Sequence, residues 1–268
     1  MLDHLRALAD SAAGDRARHC VVREYLQARV LGSLQAAGVF TRWAFVGGTA
    51  LRFLYRLPRF SEDLDFSLLT PGEADLTAAT DEVRRALALE GYPIEAKLSA
   101  ERTVATAMLR FAGLPYLLGL SPHRDQVLSI KLEVDTNPPA GAVCVTTLVR
   151  RHLLLHLCHH DRASLLAGKL HAVLCRPWTK GRDLYDLAWY LADPAWPAPN
   201  LTLLNAALAQ TAWPGAELDA DTWRSAVAQR LDTFDWPQAR ADVLPFLESD
   251  ADLALVDPAV LRGLLLPA

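Results

Sequence analysis

Apolar positions along the chain change period several times, and each change marks an element. Over residues 3–38, Leu5, Leu8, Ala9 and Ala12, then Val21, Val22, Leu26, Val30 and Leu34, recur at helical spacing, which predicts one or two helices closed by Gly38. The apolar stretch 43–46 predicts a buried strand stopped by Gly47 and Gly48. Leu51, Leu54 and Tyr55 return to the helical period, with Thr49 as N-cap and Pro58 ending the helix. Residues 61–68 alternate as a strand before the turn Thr70-Pro71-Gly72.

Residues 73–90 read as an amphipathic helix ending at Gly91, followed by strand-like pieces at 93–99, 103–111 and 126–135 and a loop at 136–141. Residues 143–157 hold one or two further strands. From Ser164 the period is helical to the end, interrupted by the Pro- and Trp-rich loop 193–199. The pattern predicts a mixed α/β front lobe over 1–157 and a helical rear lobe over 158–268.

Composition narrows the class. With 268 residues, 51% apolar and 22% charged, the chain can bury a substantial core and is neither disordered nor collagen-like. No run approaches the ~18 apolar residues of a membrane span, and the start lacks a secretory layout, so a cytoplasmic protein without a membrane partner is expected. Cys20, Cys144, Cys158 and Cys175 form no CxxC pair and read as small buried hydrophobes. Residues 193–268 carry 4 arginines against 11 acids, which leaves the front two-thirds net positive and the natural place for a polyanion. Arginine outnumbers lysine 23 to 4, and three of the lysines, Lys131, Lys169 and Lys180, fall beside carboxylates or glycines. A compact ammonium suits phosphate as a point charge.

Three pieces of sequence carry candidate chemistry. Gly47 and Gly48, between a strand and a helix, let backbone N–H groups approach a phosphate at the helix's positive end, although most glycine pairs are only turns. In the next strand Asp63 and Asp65 share a face, their Cα atoms roughly 6.5 Å apart, close enough to share metal ions ~4 Å apart. In SIKLEVDT, Lys131, Glu133 and Asp135 share one face opposite Ile130, Leu132 and Val134. If the two strands are neighbours, Glu133 completes a three-carboxylate cluster for Mg²⁺, with Mn²⁺ as the alternative; otherwise both are solvated faces. In the rear lobe Lys169, then Arg182, Asp183 and Asp186, lie on two helices, where the acids also suit a helix start electrostatically.

The string GGTALRFLYRLPRFSEDLDF, followed by KLE at 131–133, AGKLHAVLCR at 167–176 and KGRDLYDL at 180–187, resembles the AbiEii/AbiGii toxin family of nucleotidyltransferases. That family includes the MenT toxins and belongs to the DNA polymerase beta-like nucleotidyltransferase superfamily. The resemblance implies an α/β polymerase beta-like lobe with a mixed sheet and a C-terminal helical lobe supplying the third and fourth motifs. It matches Gly48 and Thr49 to the phosphate element, Asp63 and Asp65 to the metal pair, and Glu133 with Lys131 to the second motif. Lys169 matches the third motif, and Arg182, Asp183 and Asp186 the fourth. Thirteen residues separate Thr49 from Asp63 and carry Arg52, Arg56 and Arg59. The expected catalytic set is Asp63, Asp65, Glu133, Lys169 and Asp186; nucleotide contacts are expected from Gly47, Gly48, Thr49, Ser61, Lys131, Lys169, Arg182 and Asp183. The implied activity is transfer of a nucleoside monophosphate from an NTP, in some members to tRNA 3′ ends, with an antitoxin encoded nearby as partner. The alternatives are a small-molecule or protein hydroxyl as acceptor, or a non-catalytic nucleotide-binding partner protein.

Other features carry less. His152, His156 and His160 would line one face of a helix and bind zinc there, but the local alternation is strand-like. Six of the seven tryptophans lie beyond residue 177 and read as core rather than as base-stacking platforms. Alternation puts the Ser61 hydroxyl on the acidic face, where its modification would oppose metal binding.

Overall fold

The helical period at the start of the chain becomes two helices, α1 (Leu2–Asp10) and α2 (Asp15–Ala36), separated where Gly14 takes a left-handed φ of 85°. The computed structural model describes residues 2–101 and 103–266. Strand β1 (Trp43–Val46) runs directly into α3 (Gly47–Tyr55). The helix thus starts two residues before Thr49, which corrects the expectation that Thr49 caps it: extended Val46 takes the cap position. Arg56, in the left-handed region, closes α3 ahead of Pro58.

Strand β2 (Leu64–Leu68) is shorter than the expected 61–68. The carbonyls of Ser61 and Glu62 accept hydrogen bonds from the Gln27 side chain at 3.0 and 2.9 Å, and Ser61 lies outside the strand. Alternation therefore does not extend to Ser61. Helix α4 (Leu76–Leu89), strands β3 (Ile94–Glu101) and β4 (Val104–Ala112), the short helix α5 (Leu114–Leu117) and strand β5 (Val127–Asp135) follow; α5 has no counterpart in the expected pattern. Strands β6 (Cys144–Arg151) and β7 (Leu153–His160) complete the set, hinged at His152 with a φ of 58°. The histidine run thus lies on a strand.

These strands form one seven-stranded mixed sheet in the order β3-β4-β5-β2-β1-β7-β6. β1 pairs antiparallel with β2 and parallel with β7, while β2 pairs parallel with β5. The core residues Leu26, Leu31, Trp43, Phe45, Phe66, Ile130 and Leu132 are at most 2% exposed. A fully buried side chain of this size stabilises by about 1.5–3 kcal/mol. Burial alternates strictly along β5, and in β2 Leu64, Phe66 and Leu68 face this core while Ser67, on the other face, is buried as well.

The chain divides into two compact units. One holds the residues up to Arg56, Phe60–Pro138 and Thr146–His159; the other holds Leu57–Arg59, Pro139–Val145 and the residues from His160 onward. The second unit is helical: α6 (Arg162–Cys175), α7 (Gly181–Ala192), α8 (Leu201–Gln210), α9 (Trp223–Arg230), α10 (Trp236–Val243) and α11 (Pro258–Leu265). Side-chain caps start several of these helices. Asp161 accepts from Ser164 N, Asn200 from Leu203 N and Asp235 from Gln238 N. Gly181 lets α7 begin against α10, because a Cβ there would overlap the Ala239 carbonyl. Trp223 is 3% exposed and Trp189, Tyr190 and Trp196 pack ring on ring, but Trp178 is 63% exposed. Among the described residues no helix is long and apolar enough to cross a membrane.

Candidate active site

The parallel pairing of β2 with β5 sets Asp65 opposite Glu133 in register. Their neighbours Leu64, Phe66, Leu132 and Val134 are at most 2% exposed, so the same alternation that buries these four turns the two carboxylates to the other face. Asp63 comes immediately before β2 and its carbonyl accepts the Thr49 hydroxyl, which ties the first turn of α3 to the acidic segment. Lys131, two residues before Glu133, holds its carboxylate at 2.6 Å. Burial works against the Lys131 charge, but the hydrogen bond it donates to Glu133 and the charges of Glu133, Asp63 and Asp65 outweigh it and raise the pKa. All three acids thus act on one ammonium.

The glycine turn is built against this cluster. β1 pairs Val46 with Asp65, and the chain then turns at Gly47 with a φ of 77°. A Cβ at Gly47 would overlap the Asp65 carboxylate. Gly47 and Gly48 open α3, whose first backbone N–H groups have no partner within the helix.

Asp63, Asp65 and Glu133 could offer oxygen donors of the kind hard divalent cations take, and Gly47 packs closely against the Asp65 carboxylate. Glu133 is turned to Lys131 in this structure. Among the described residues no three acidic, histidine or cysteine side chains converge to metal-holding geometry.

In the second unit, Lys169 of α6 pairs at 2.8 Å with both Asp183 and Asp186 of α7. Asp186, fully buried, also receives Nε and Nη2 of Arg59, each at 2.6 Å, and Asp183 is paired with Arg176. Burial opposes the Asp186 charge, yet Arg59 and Lys169 hold its pKa below the usual carboxylate range. The Lys169 ammonium is thus paired with two carboxylates in this structure. Arg182 stands apart from this cluster: its backbone N–H donates to Asp242, and its guanidinium lies 4.2 Å from the Phe246 ring centroid. One residue along a helix is a 100° rotation, so Arg182 and Asp183 point differently.

Glu24 of α2 is a group with no signal in the sequence pattern. It is 5% exposed and receives Arg52, Arg151 and His152, which join α2, α3 and the β6–β7 turn around one carboxylate. Two of those partners lie more than a hundred residues away, beyond any local period.

Two solved structures share this fold. One, described as a candidate nucleotidyltransferase from H. pylori, superposes with a TM-score of 0.55 at 20% identity, covering 92% of both chains. The other, JHP933 from Helicobacter pylori, has a TM-score of 0.55 at 19% identity over 92% of this chain and 90% of that one. No curated protein sequence matches the chain. The family model described as nucleotidyl transferase AbiEii toxin, type IV toxin–antitoxin system, matches residues 29–258, a span that includes the glycine turn, the three acids and the Lys169 cluster. The chain belongs to the AbiEii nucleotidyl transferase toxin family.

Proposed function

We propose that the protein is a cytoplasmic toxin that transfers a nucleoside monophosphate from an NTP to the 3′ end of an RNA, with tRNA as the leading acceptor and a cognate antitoxin as its partner in the cell. The observation that carries this reading is the register of Asp65 with Glu133, with Asp63 two residues before Asp65. Two acids turned to one face by core burial, with a third just ahead of them in the chain, repel one another and serve a purpose when cations are brought to them.

Asp63, Asp65 and Glu133 would hold Mg²⁺ or Mn²⁺. Such ions, when bound, supply positive charge to the triphosphate and to the attacking oxygen. The chain's own groups do the rest. The Gly47 and Gly48 N–H groups receive phosphate oxygens at the start of α3. Lys131 balances the acids while the site is unloaded and adds a donor toward the phosphates. The acceptor hydroxyl oxygen forms a bond to the α-phosphorus, the α–β anhydride breaks, pyrophosphate leaves, and the hydroxyl proton passes to water.

Incubation with each α-labelled NTP, Mg²⁺ and, separately, total RNA, a protein fraction and a metabolite extract tests the reading. Label should enter RNA, and Asp63→Ala or Asp65→Ala should abolish it with the melting temperature kept. Label entering only protein or metabolites would move the acceptor. Transfer surviving both substitutions would overturn the site, and nucleotide binding without pyrophosphate release would leave a non-catalytic module.

A further inference from the structure

Trp178 is solvent-facing, yet its segment is braced. It lies between α6 and α7 in the stretch Arg176-Pro177-Trp178-Thr179-Lys180, and is 63% exposed. Arg230 Nη2 donates to the Arg176 carbonyl at 2.6 Å, and Thr179 Oγ1 accepts from the Asp235 backbone N–H at 3.0 Å. Pro177 fixes its own φ. An indole held out on a tethered segment loses little entropy when a ligand lies on it.

The charges beside it are unbalanced. The Arg176 guanidinium is 5.7 Å from the indole centroid. Lys180, two residues on, is half-buried and forms no ion pair among the described residues. Burial pushes its pKa down, Asp183 pulls it back, and Arg182, Arg176 and Lys169 depress it further, for a net lowering. The nearby acids are already engaged: Asp183 by Lys169 and Arg176, Asp242 by Arg182, and Asp235 by the start of α10. A desolvated ammonium crowded by other cations gains from an incoming anion.

An exposed π-face with an uncompensated ammonium two residues away matches one nucleotide unit, a base and its phosphate. We infer that Trp178 and Lys180 form a docking step for single-stranded RNA, with an unpaired base stacking on the indole and a neighbouring phosphate meeting the ammonium. A free nucleotide is held in an enclosed site that covers both faces of its base, whereas Trp178 offers one open face. A polymer compensates through successive contacts. Bases in a duplex are already stacked, which leaves single strands as the ligand. Protein interfaces deplete lysine at their centres, and this platform has Arg176 at the indole and Lys180 two residues on. The RNA class rests on the acceptor reading proposed above; the contact itself needs no transfer chemistry.

Fluorescence anisotropy of a short labelled single-stranded RNA tests the inference with the full chain. Trp178→Ala should weaken binding about tenfold, with Trp178→Phe retaining most of it. Lys180→Gln should also weaken binding and flatten the dependence of log K on log salt by about 0.7, whereas the Trp178 variants leave that slope unchanged. Blunt duplex RNA and the four free NTPs should bind Trp178→Ala and wild type alike. Equal single-strand binding by wild type and Trp178→Ala, with melting temperature preserved, overturns the inference and leaves the indole to a protein partner. A loss seen only with free NTPs overturns it in favour of a nucleotide platform. If no variant or wild type transfers label, the transfer reading fails while the anisotropy series still decides the fate of the Trp178 contact.

Discussion

Gly47 and Asp65 touch so closely that no side chain fits between them: a Cβ on Gly47 would occupy the space of the Asp65 carboxylate, and Gly47 also takes a φ of 77°. Backbone strain and steric overlap both oppose Gly47→Ala. The substitution should cost about 2–4 kcal/mol in urea unfolding, combining the left-handed penalty with overpacking, and should abolish label transfer. Gly14→Ala is the control, because its φ of 85° has open space around it. That variant should lose only about 1–2 kcal/mol and keep transfer. Equal losses at the two positions would show that the Asp65 contact contributes nothing.

Glu24 gives the fold a pH dependence. Burial resists its charge, but hydrogen bonds from His152 and Arg151 and the charge of Arg52 hold its pKa down at about 2 against an ordinary 4.5. A folded-state pKa below the unfolded value stabilises the protein fully above pH 4.5, and that stabilisation is lost as pH falls toward 2. The shift corresponds to about 3 kcal/mol. Urea unfolding at pH 6 and pH 3 should show wild type losing on the order of 2 kcal/mol more than Glu24→Gln across that interval. Parallel losses would mean that Glu24 does not titrate as described.

The elements legible in the sequence are those whose signal is local. Alternation around Ile130, Leu132 and Val134 sets the face of Lys131 and Glu133, because burial of those apolar residues fixes it whatever strand lies alongside. That Glu133 meets Asp65 is not local information: it depends on a parallel pairing between β2 and β5, and only the order of the motifs pointed to it. Thr49 read as a cap because Ser and Thr favour that position. Gly47, able to turn the chain straight from strand into helix, starts α3 earlier. Buried charges were the least legible. Nothing local marks Arg59 or Glu24 for burial, because each meets a partner 127 residues away in the chain.

The Arg59–Asp186 pair should show strong coupling. Both side chains are at most 3% exposed, and Asp186 is shared with Lys169. Removing the carboxylate by Asp186→Ala takes one partner from each of two buried cations, and Arg59→Met leaves Asp186 with one partner fewer; each should cost about 3–5 kcal/mol. The double variant Arg59→Met/Asp186→Ala should be less destabilised than the sum by on the order of 2 kcal/mol in a urea double-mutant cycle. Additivity to within about 0.5 kcal/mol would remove the coupling.

Lys131 sits where a cation bound by the acids would draw its charge balance, so it competes with one. Its ammonium holds Glu133 at 2.6 Å and its pKa is raised, so it stays charged throughout the neutral range. Replacing it by Met frees the Glu133 carboxylate and removes the ammonium that offsets its repulsion with Asp63 and Asp65. A divalent ion then relieves more repulsion than it does in wild type. Calorimetric titration with Mn²⁺ at pH 7 should find binding several-fold tighter in Lys131→Met and weaker in Glu133→Gln. Label transfer should fall in both, because the first loses a donor to the phosphates and the second an oxygen ligand. Weaker or unchanged Mn²⁺ binding in Lys131→Met would mean that the ion and the ammonium do not share these carboxylates, and the metal assignment of Glu133 would fall with it.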